Sequence, residues 1–151
     1  WKGIRKGKFA SHEGRYALIR IYFDYEKYDK VLSHWEHEVK QLNPQDPFSL
    51  YWVGQAYMKV GQFDKALESF ETILSVYLRS PYYDPAGEME CRYFIGLCQS
   101  ELGNYRKAIN HLLTASLMAE SLSGRKDIEE ALKKVGPLLR SVQQKILAAQ
   151  K

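Results

Sequence analysis

The chain has 151 residues, of which 45% are apolar and 26% are charged, and its formal net charge is +4. This length can bury one elongated core, and no apolar run approaches the ~18 residues of a membrane span, so a spanning helix is not predicted. The chain opens with Trp1 and lacks a charged-then-apolar leader. We therefore interpret it as an excised domain or processed product, whose compartment, cytoplasm or bacterial periplasm, stays open.

The first twelve residues form a basic N-terminal segment that carries Lys2, Arg5, Lys6 and Lys8. Basic arms bind phosphate or anionic lipid, which makes a nucleic-acid-binding helical repeat one alternative for this protein. Beyond residue 12 the charges are mixed in sign, and no base-reading set recurs along the chain. Nucleic acid is therefore disfavoured against a solvated terminus.

The middle of the chain predicts a helix-turn-helix unit. Apolar residues fall at helical spacing over residues 50–59, Gly61 ends that helix, and a second amphipathic helix covers residues 64–78. Four landmarks of this unit, all small or aromatic residues, recur 42 positions later: Gly54, Gly61, Phe63 and Ala66 are matched by Gly96, Gly103, Tyr105 and Ala108. The glycines and alanines predict close helix packing, and Phe63 and Tyr105 fill the turns. An internal repeat of this kind stacks into a solenoid.

The run from Leu50 to Tyr57, with Gly61, Phe63 and Phe70, resembles a tetratricopeptide repeat, a family with a period of about 34 residues. A weaker first copy has Ile19 and Glu26 at the two glycine positions. The resemblance implies an all-α, right-handed α-solenoid of about three repeats, at residues 13–45, 47–80 and 89–122 within 13–122. The surplus residues between the second and third copies predict a long connection over residues 79–87, with extra helical turns at its edges.

A C-terminal capping helix or helix pair is predicted over residues 126–150, where Asp127 and Glu130 form a capping box. Gly136 and Pro137 predict a kink, or two shorter helices that meet there. A terminal unit of a solenoid needs a polar outer face. This role suits the following polar residues: Lys133, Lys134, Arg140, Gln143, Gln144 and Lys145.

The resemblance also implies a concave groove, lined by the first helix of each repeat. The implied groove residues are mostly aromatic or apolar: Tyr16, Ala17, Arg20, Phe23, Tyr51, Trp52, Gln55, Met58, Tyr93, Phe94, Leu97 and Ser100. Some relatives hold a peptide carboxylate with lysine, arginine and asparagine, and that clamp is not reproduced here. We therefore expect an apolar peptide or an amphipathic helix as ligand, because tyrosine and tryptophan concentrate binding energy.

Residues typical of catalysis are few. His34, His37 and Glu38 lie near one helix face, but no fourth zinc ligand is evident, and a solvated face beside a buried Trp35 is the preferred interpretation. Cys91 and Cys98 are about 10 Å apart on one helix, too far for a disulfide, and are expected to be buried thiols. We predict no enzyme activity, no metal site and no cofactor.

The sequence therefore predicts a noncatalytic protein-interaction module or scaffold that binds a partner protein in an aromatic-lined groove. Two alternatives stay open beside the nucleic-acid one. The chain could be a structural spacer or self-assembly segment, because an exposed aromatic groove also favours self-association. The groove could also be filled by the chain's own C-terminal helix.

Overall fold

A computed structural model describes residues 12–122 and 124–150. Over these residues the chain is helical and has no strand, which confirms the predicted all-α class. Seven α-helices follow one another: α1 (His12–Asp24), α2 (Tyr28–His34), α3 (Pro47–Lys59), α4 (Phe63–Leu78), α5 (Pro85–Glu101), α6 (Tyr105–Ser121) and α7 (Lys126–Ala149). The predicted basic arm, with Lys2, Arg5, Lys6 and Lys8, lies outside the described residues.

The chain divides into two compact units, Trp1–Ile73 and Leu74–Lys151. In the first unit α2 packs against both α1 and α3, and α1 also packs against α3. In the second unit α6 packs against both α5 and α7, and α5 also packs against α7. Each unit thus contains a helix pair that packs against the first helix of the next pair, and α4 as far as Ile73 also belongs to the first unit. None of the described helices is both long and apolar enough to cross a membrane.

The turns that join the two helices of each pair, three among the described residues, share one geometry. Glu26, Gly61 and Gly103 have positive φ angles of 57°, 78° and 82°. In each turn the N–H of this residue donates to the carbonyl three residues earlier. The N–H of the following residue donates to the carbonyl five residues before it, as Gln62 does to Tyr57 at 2.9 Å. This is the Schellman pattern that ends helices at a left-handed residue. Glu26 therefore occupies the place of the glycine in the first copy.

The glycines inside the first helices sit under a large side chain of the second helices. A Cβ at Gly54 would lie 2.7 Å from Cζ of Phe70, and a Cβ at Gly96 would lie 2.8 Å from Leu112. Real Cβ atoms do not lie within 3.0 Å of such neighbours, so a side chain at either position would force the neighbouring side chain or helix to shift. Each glycine therefore lets two helices approach closely. The small residues of the second helices, Ala66 and Ala108, are fully buried, as is Val31 at the same place in the first copy.

The second helix of the first pair departs from the regular α pattern. After α2 the chain forms a π-helical turn, Trp35–Val39, in which the Lys40 N–H bonds the Trp35 carbonyl at 2.8 Å. The turn buries both Trp35 and Val39. This insertion was not predicted from the sequence, although the predicted burial of Trp35 is confirmed.

The connection between the second and third pairs covers residues 79–84. α5 begins at Pro85, four residues before the predicted repeat start at residue 89, and Asp84 caps it by accepting the Ala86 N–H at 3.1 Å. Proline suits the first position of a helix, where no intrahelical partner for its nitrogen is needed. Residues 85–87, the C-terminal edge of the predicted connection, therefore form the first turn of α5.

The C-terminal segment forms one helix, α7, with Pro137 inside it, so the alternative of a helix pair is wrong. Gly136 helps the helix continue, because a Cβ before proline clashes with the proline ring in the helical conformation. The predicted capping box is also wrong. Arg125 is the N-cap residue, and Asp127 lies in the first turn, where it accepts the Ile128 N–H and pairs with Arg125 at 2.7 Å.

The two cysteines are free and buried in α5, as predicted. Burial raises the pKa of both thiols to about 12. Because the thiolate is the reactive form, these thiols are inert near neutral pH.

Candidate functional site

Four of the implied groove residues come together in the first unit. The Trp52 ring lies 5.0 Å from the Phe23 ring and 4.8 Å from the Tyr51 ring, measured between centroids. Phe23 comes from α1, whereas Tyr51 and Trp52 come from α3, so the cluster joins the first helices of two successive pairs. All three rings are half-buried. We call Arg20, Phe23, Tyr51 and Trp52 the aromatic cluster.

Arg20 covers one face of this cluster. Its guanidinium carbon lies 4.4 Å from the Trp52 ring centroid, and its Nε lies 3.2 Å from the Asp24 carboxylate. A guanidinium over an indole face is a favourable cation–π arrangement. The sequence analysis expected an apolar groove with one cation, and here that cation rests on the largest aromatic ring.

The indole N–H of Trp52 is buried and has no hydrogen-bond acceptor among the described residues. A buried donor without an acceptor costs about 1 to 3 kcal/mol. The other implied groove residues of this unit, Tyr16, Gln55 and Met58, are half-buried, and Gln55 donates to the Tyr51 carbonyl at 3.3 Å. Trp52 is therefore the member of the cluster whose polar atom is unsatisfied.

In the second unit the implied groove residues lie on α5. Tyr93 and Phe94 are edge to face with centroids 5.4 Å apart, and both are half-buried, as is Leu97. Tyr93 lines a cavity of about 260 Å³ between the beginnings of α5 and α7. The carboxylates of Glu90 and Glu130 line the same cavity.

The chain's own C-terminal helix covers part of the same surface of α5. Ser100, which was predicted to point into the groove, is buried, and Lys145 of α7 donates to its hydroxyl at 3.4 Å. Tyr93 also packs against the core cluster that contains Ile128 and Val135 of α7. Ser100 is therefore not a groove residue, whereas Tyr93, Phe94 and Leu97 keep part of their surface exposed.

A polar network in the second unit was missed by the sequence analysis. Glu88 is buried, where it accepts from Arg92 Nε at 2.7 Å and from the Tyr83 hydroxyl at 2.5 Å. Arg92 also approaches Nδ1 of His111 at 3.0 Å, so that nitrogen is the acceptor and the ring is neutral. The hydrogen bond to Glu88 raises the Tyr83 pKa to about 12. Burial, together with Arg92, lowers the His111 pKa.

The histidines considered as metal ligands have other partners. His34 Nε2 bonds the Arg15 carbonyl at 2.7 Å, and His37 Nδ1 bonds the Ser33 carbonyl at 2.8 Å. Both bonds require the ring nitrogen to be the protonated one, since a carbonyl only accepts. Among the described residues, no group of three His, Cys, Asp or Glu side chains is placed to hold a metal ion.

A model of the tetratricopeptide repeat family matches residues 47–121, which contain α3, α4, α5 and α6. No curated protein matches the sequence at a significant level. The matched segment coincides with the two copies whose landmarks recur 42 positions apart.

Solved structures of similar fold cover nearly the whole chain. The type III secretion translocator chaperone SycD of Yersinia enterocolitica has a TM-score of 0.70 at 18% identity, over 88% of this chain and 83% of SycD. PcrH, in complex with the chaperone binding region of PopD, has a TM-score of 0.70 at 18% identity, over 88% of this chain and 91% of PcrH. The Sgt2 tetratricopeptide repeat domain of Aspergillus fumigatus has a TM-score of 0.59 at 18% identity, over 90% of this chain and 79% of that chain. Likeness at these identities shows the fold, and it confirms the predicted helical-repeat class.

Proposed function

The chain belongs to the tetratricopeptide repeat family over residues 47–121, and from this premise we propose that it is a noncatalytic module that binds a peptide or helix of a partner protein. The aromatic cluster is the single observation that carries the proposal. It lies on α1 and α3, the helices that the repeat pattern assigns to the binding groove, and its rings are half-buried rather than sealed in a core.

The chemistry of the cluster favours an apolar segment with an accessible backbone. Partly exposed aromatic rings offer large contact area at a small cost in conformational entropy. The Trp52 N–H lacks an acceptor in the free protein. A partner carbonyl that reached it would relieve the cost of that unsatisfied donor.

Similar structures support a peptide as the ligand class. SycD was solved with a peptide of the translocator YopD, and PcrH with the chaperone binding region of PopD. We extend peptide binding to this chain on the basis of the shared fold and of its own aromatic cluster. The noncatalytic part of the proposal is supported by the raised pKa of Cys91 and Cys98, which disfavours thiolate chemistry.

The direct test is a selection of peptides from a random library on the immobilised protein, followed by binding measurements on variants. Tyr51→Ala and Phe23→Ala should each weaken a selected peptide at least about tenfold, because hot-spot aromatics contribute ~1.4 kcal/mol or more. Tyr25→Ala is the matched control. It removes a tyrosine that is 74% exposed and lies outside the cluster.

Circular dichroism of each variant separates a lost site from a lost fold. Equal affinity of parent, Tyr51→Ala and Phe23→Ala for every selected peptide would overturn the assignment of the site. The YopD and PopD segments are useful as second probes, because their binding would extend the likeness from fold to ligand.

A further inference from the structure

α7 carries the pattern of the first helix of a repeat. Leu132, Val135, Gly136 and Leu139 have the same spacing as Leu50, Val53, Gly54 and Tyr57 of α3. Val53 and Val135 are both fully buried. The packing agrees with the spacing, because α7 contacts both helices of the preceding pair, as α3 does in the first unit. The chain therefore contains the first helix of a fourth repeat.

Among residues 12–122 and 124–150, no helix occupies the place of the second helix of that repeat. Phe70 covers Gly54 and Leu112 covers Gly96, each closer than 3 Å to a built Cβ. At Gly136 the nearest described atom is Nη1 of Arg140, at 3.6 Å. No side chain of the described residues fills this position from another helix. The outer face of α7, which was predicted to be a polar cap, therefore has an uncovered position at Gly136.

The surface around Gly136 is apolar on one flank. Leu132 is 37% exposed, whereas Leu50, at the same place in α3, is 4% exposed. Leu139 is half-buried on the same flank. These side chains and the bare backbone of Gly136 form a shallow seat of the kind that receives Phe70 in the first unit.

The other flank is cationic. Lys133 and Arg140 are three residues before and four residues after Gly136, so both project from one side of the seat. Both are exposed, and neither forms a salt bridge with any residue the structure describes. An occupant that carries carboxylates along one edge would complement this charge.

We propose that this face of α7, centred on Gly136, is a second docking site, which takes an acidic amphipathic helix of a partner protein. The helix places a phenylalanine or leucine over Gly136, contacts Leu132 and Leu139 with its apolar stripe, and pairs its carboxylates with Lys133 and Arg140. The site is separate from the aromatic cluster and requires no peptide in the groove.

The chain itself supplies a suitable probe. A peptide of residues 63–78 carries Phe70, the side chain that covers Gly54, and it contains three acidic residues and one basic residue. With blocked ends and a fluorescent label, its binding to the full chain is measured by anisotropy. We expect saturable binding, and the affinity should fall at least tenfold when the peptide carries Phe70→Ala.

Two kinds of protein variant test the seat and its charge separately. Gly136→Leu fills the seat and should weaken the peptide at least tenfold in protein whose helicity, measured by circular dichroism, equals that of the parent, because a Cβ before Pro137 also disfavours the helical conformation. Lys133→Glu with Arg140→Glu reverses the exposed charge without touching the core and should weaken it several-fold, an effect that added salt should reduce. Lys107→Glu on α6 is the matched control and should bind like the parent.

Three outcomes would overturn the proposal. The first is the absence of saturable binding to the parent chain. The second is equal binding to the parent and to the charge-reversed protein, which would mean that the peptide exchanges with α4 or binds elsewhere. The third is a concentration-dependent dimer of the parent, detected by light scattering, that disappears in Gly136→Leu and would assign this face to a second copy of the chain.

Discussion

The substitution Glu26→Gly should raise the free energy of unfolding, because Glu26 is strained in the turn between α1 and α2. Glu26 adopts φ 57° at the position where the other two turns have Gly61 and Gly103. A residue with a Cβ pays about 1 to 2 kcal/mol in the left-handed region, a cost that glycine avoids. The glutamate is exposed and forms no salt bridge among the described residues, so its removal should cost little.

The expected gain is smaller than the full strain. Glycine loses more backbone entropy on folding, at about 0.5 to 1 kcal/mol, and this offsets part of the relief. The net stabilisation should be about 0.5 to 1 kcal/mol. For a chain of 151 residues, each kcal/mol shifts the unfolding midpoint by roughly 2 to 4 °C. The predicted shift is therefore about 1 to 4 °C upward, measured by circular dichroism at 222 nm.

Glu26→Ala separates backbone relief from loss of the carboxylate. Alanine keeps the Cβ and hence the strain, so this variant should not be more stable than the parent. Gly61→Ala provides the reciprocal test and should lower the midpoint. If Glu26→Gly left the midpoint unchanged or lowered it, the equivalence of the three turns would be refuted.

Three further predictions concern packing, pH and thiol reactivity. Gly54→Ala should destabilise the protein by about 1 kcal/mol in denaturant titrations. Overpacking against Phe70 costs about 1 to 3 kcal/mol, and the higher helix propensity of alanine offsets about 1 kcal/mol of that cost. His111 has a lowered pKa, so its stabilising contribution is present above its unfolded pKa of about 6.5 and is lost as pH falls through the folded value. His111→Asn, which keeps an acceptor for Arg92, should lose less unfolding free energy than the parent between pH 7 and pH 5. Cys98 should react with iodoacetamide at pH 7.5 far more slowly in the native protein than in denaturant, and equal rates would contradict its burial.

Most of the helical framework could be predicted from the sequence because its signals are local. Gly61 and Gly103 mark left-handed helix ends, and the recurrence of Gly54 at Gly96 identifies the close helix contacts. The apolar periodicity then assigns the buried face of each helix. These features depend on a few residues at fixed spacing, so they are visible without tertiary information.

The features that escaped prediction depend on contacts between distant residues. The π-helical turn at Trp35–Val39 has no sequence signal that we can identify. The network of Glu88 with Arg92 and Tyr83 depends on how the start of α5 meets the preceding connection. The predicted capping box at Asp127 failed because Arg125, one residue before the helix, pairs with that carboxylate instead.

The groove residues were predicted through family resemblance, and the structure adds what their spacing could not provide. It brings Phe23 within 5.0 Å of Trp52 and places Arg20 over the indole. It also shows that Ser100, one of the predicted groove residues, is buried next to α7. Whether a residue is exposed in a groove depends on the helix packed beside it, and that information is absent from the single repeat.

The most direct test of the central claim is the indole N–H signal of Trp52 in a two-dimensional ¹H–¹⁵N spectrum during titration with a library-selected peptide. Trp52→Phe assigns the signal, and Trp35, which is buried in the first helix pair, provides an internal reference. We expect a saturable downfield shift of the Trp52 signal as its N–H gains an acceptor, while the Trp35 signal stays in place. A peptide that binds by calorimetry and leaves the Trp52 signal unmoved would contradict the account.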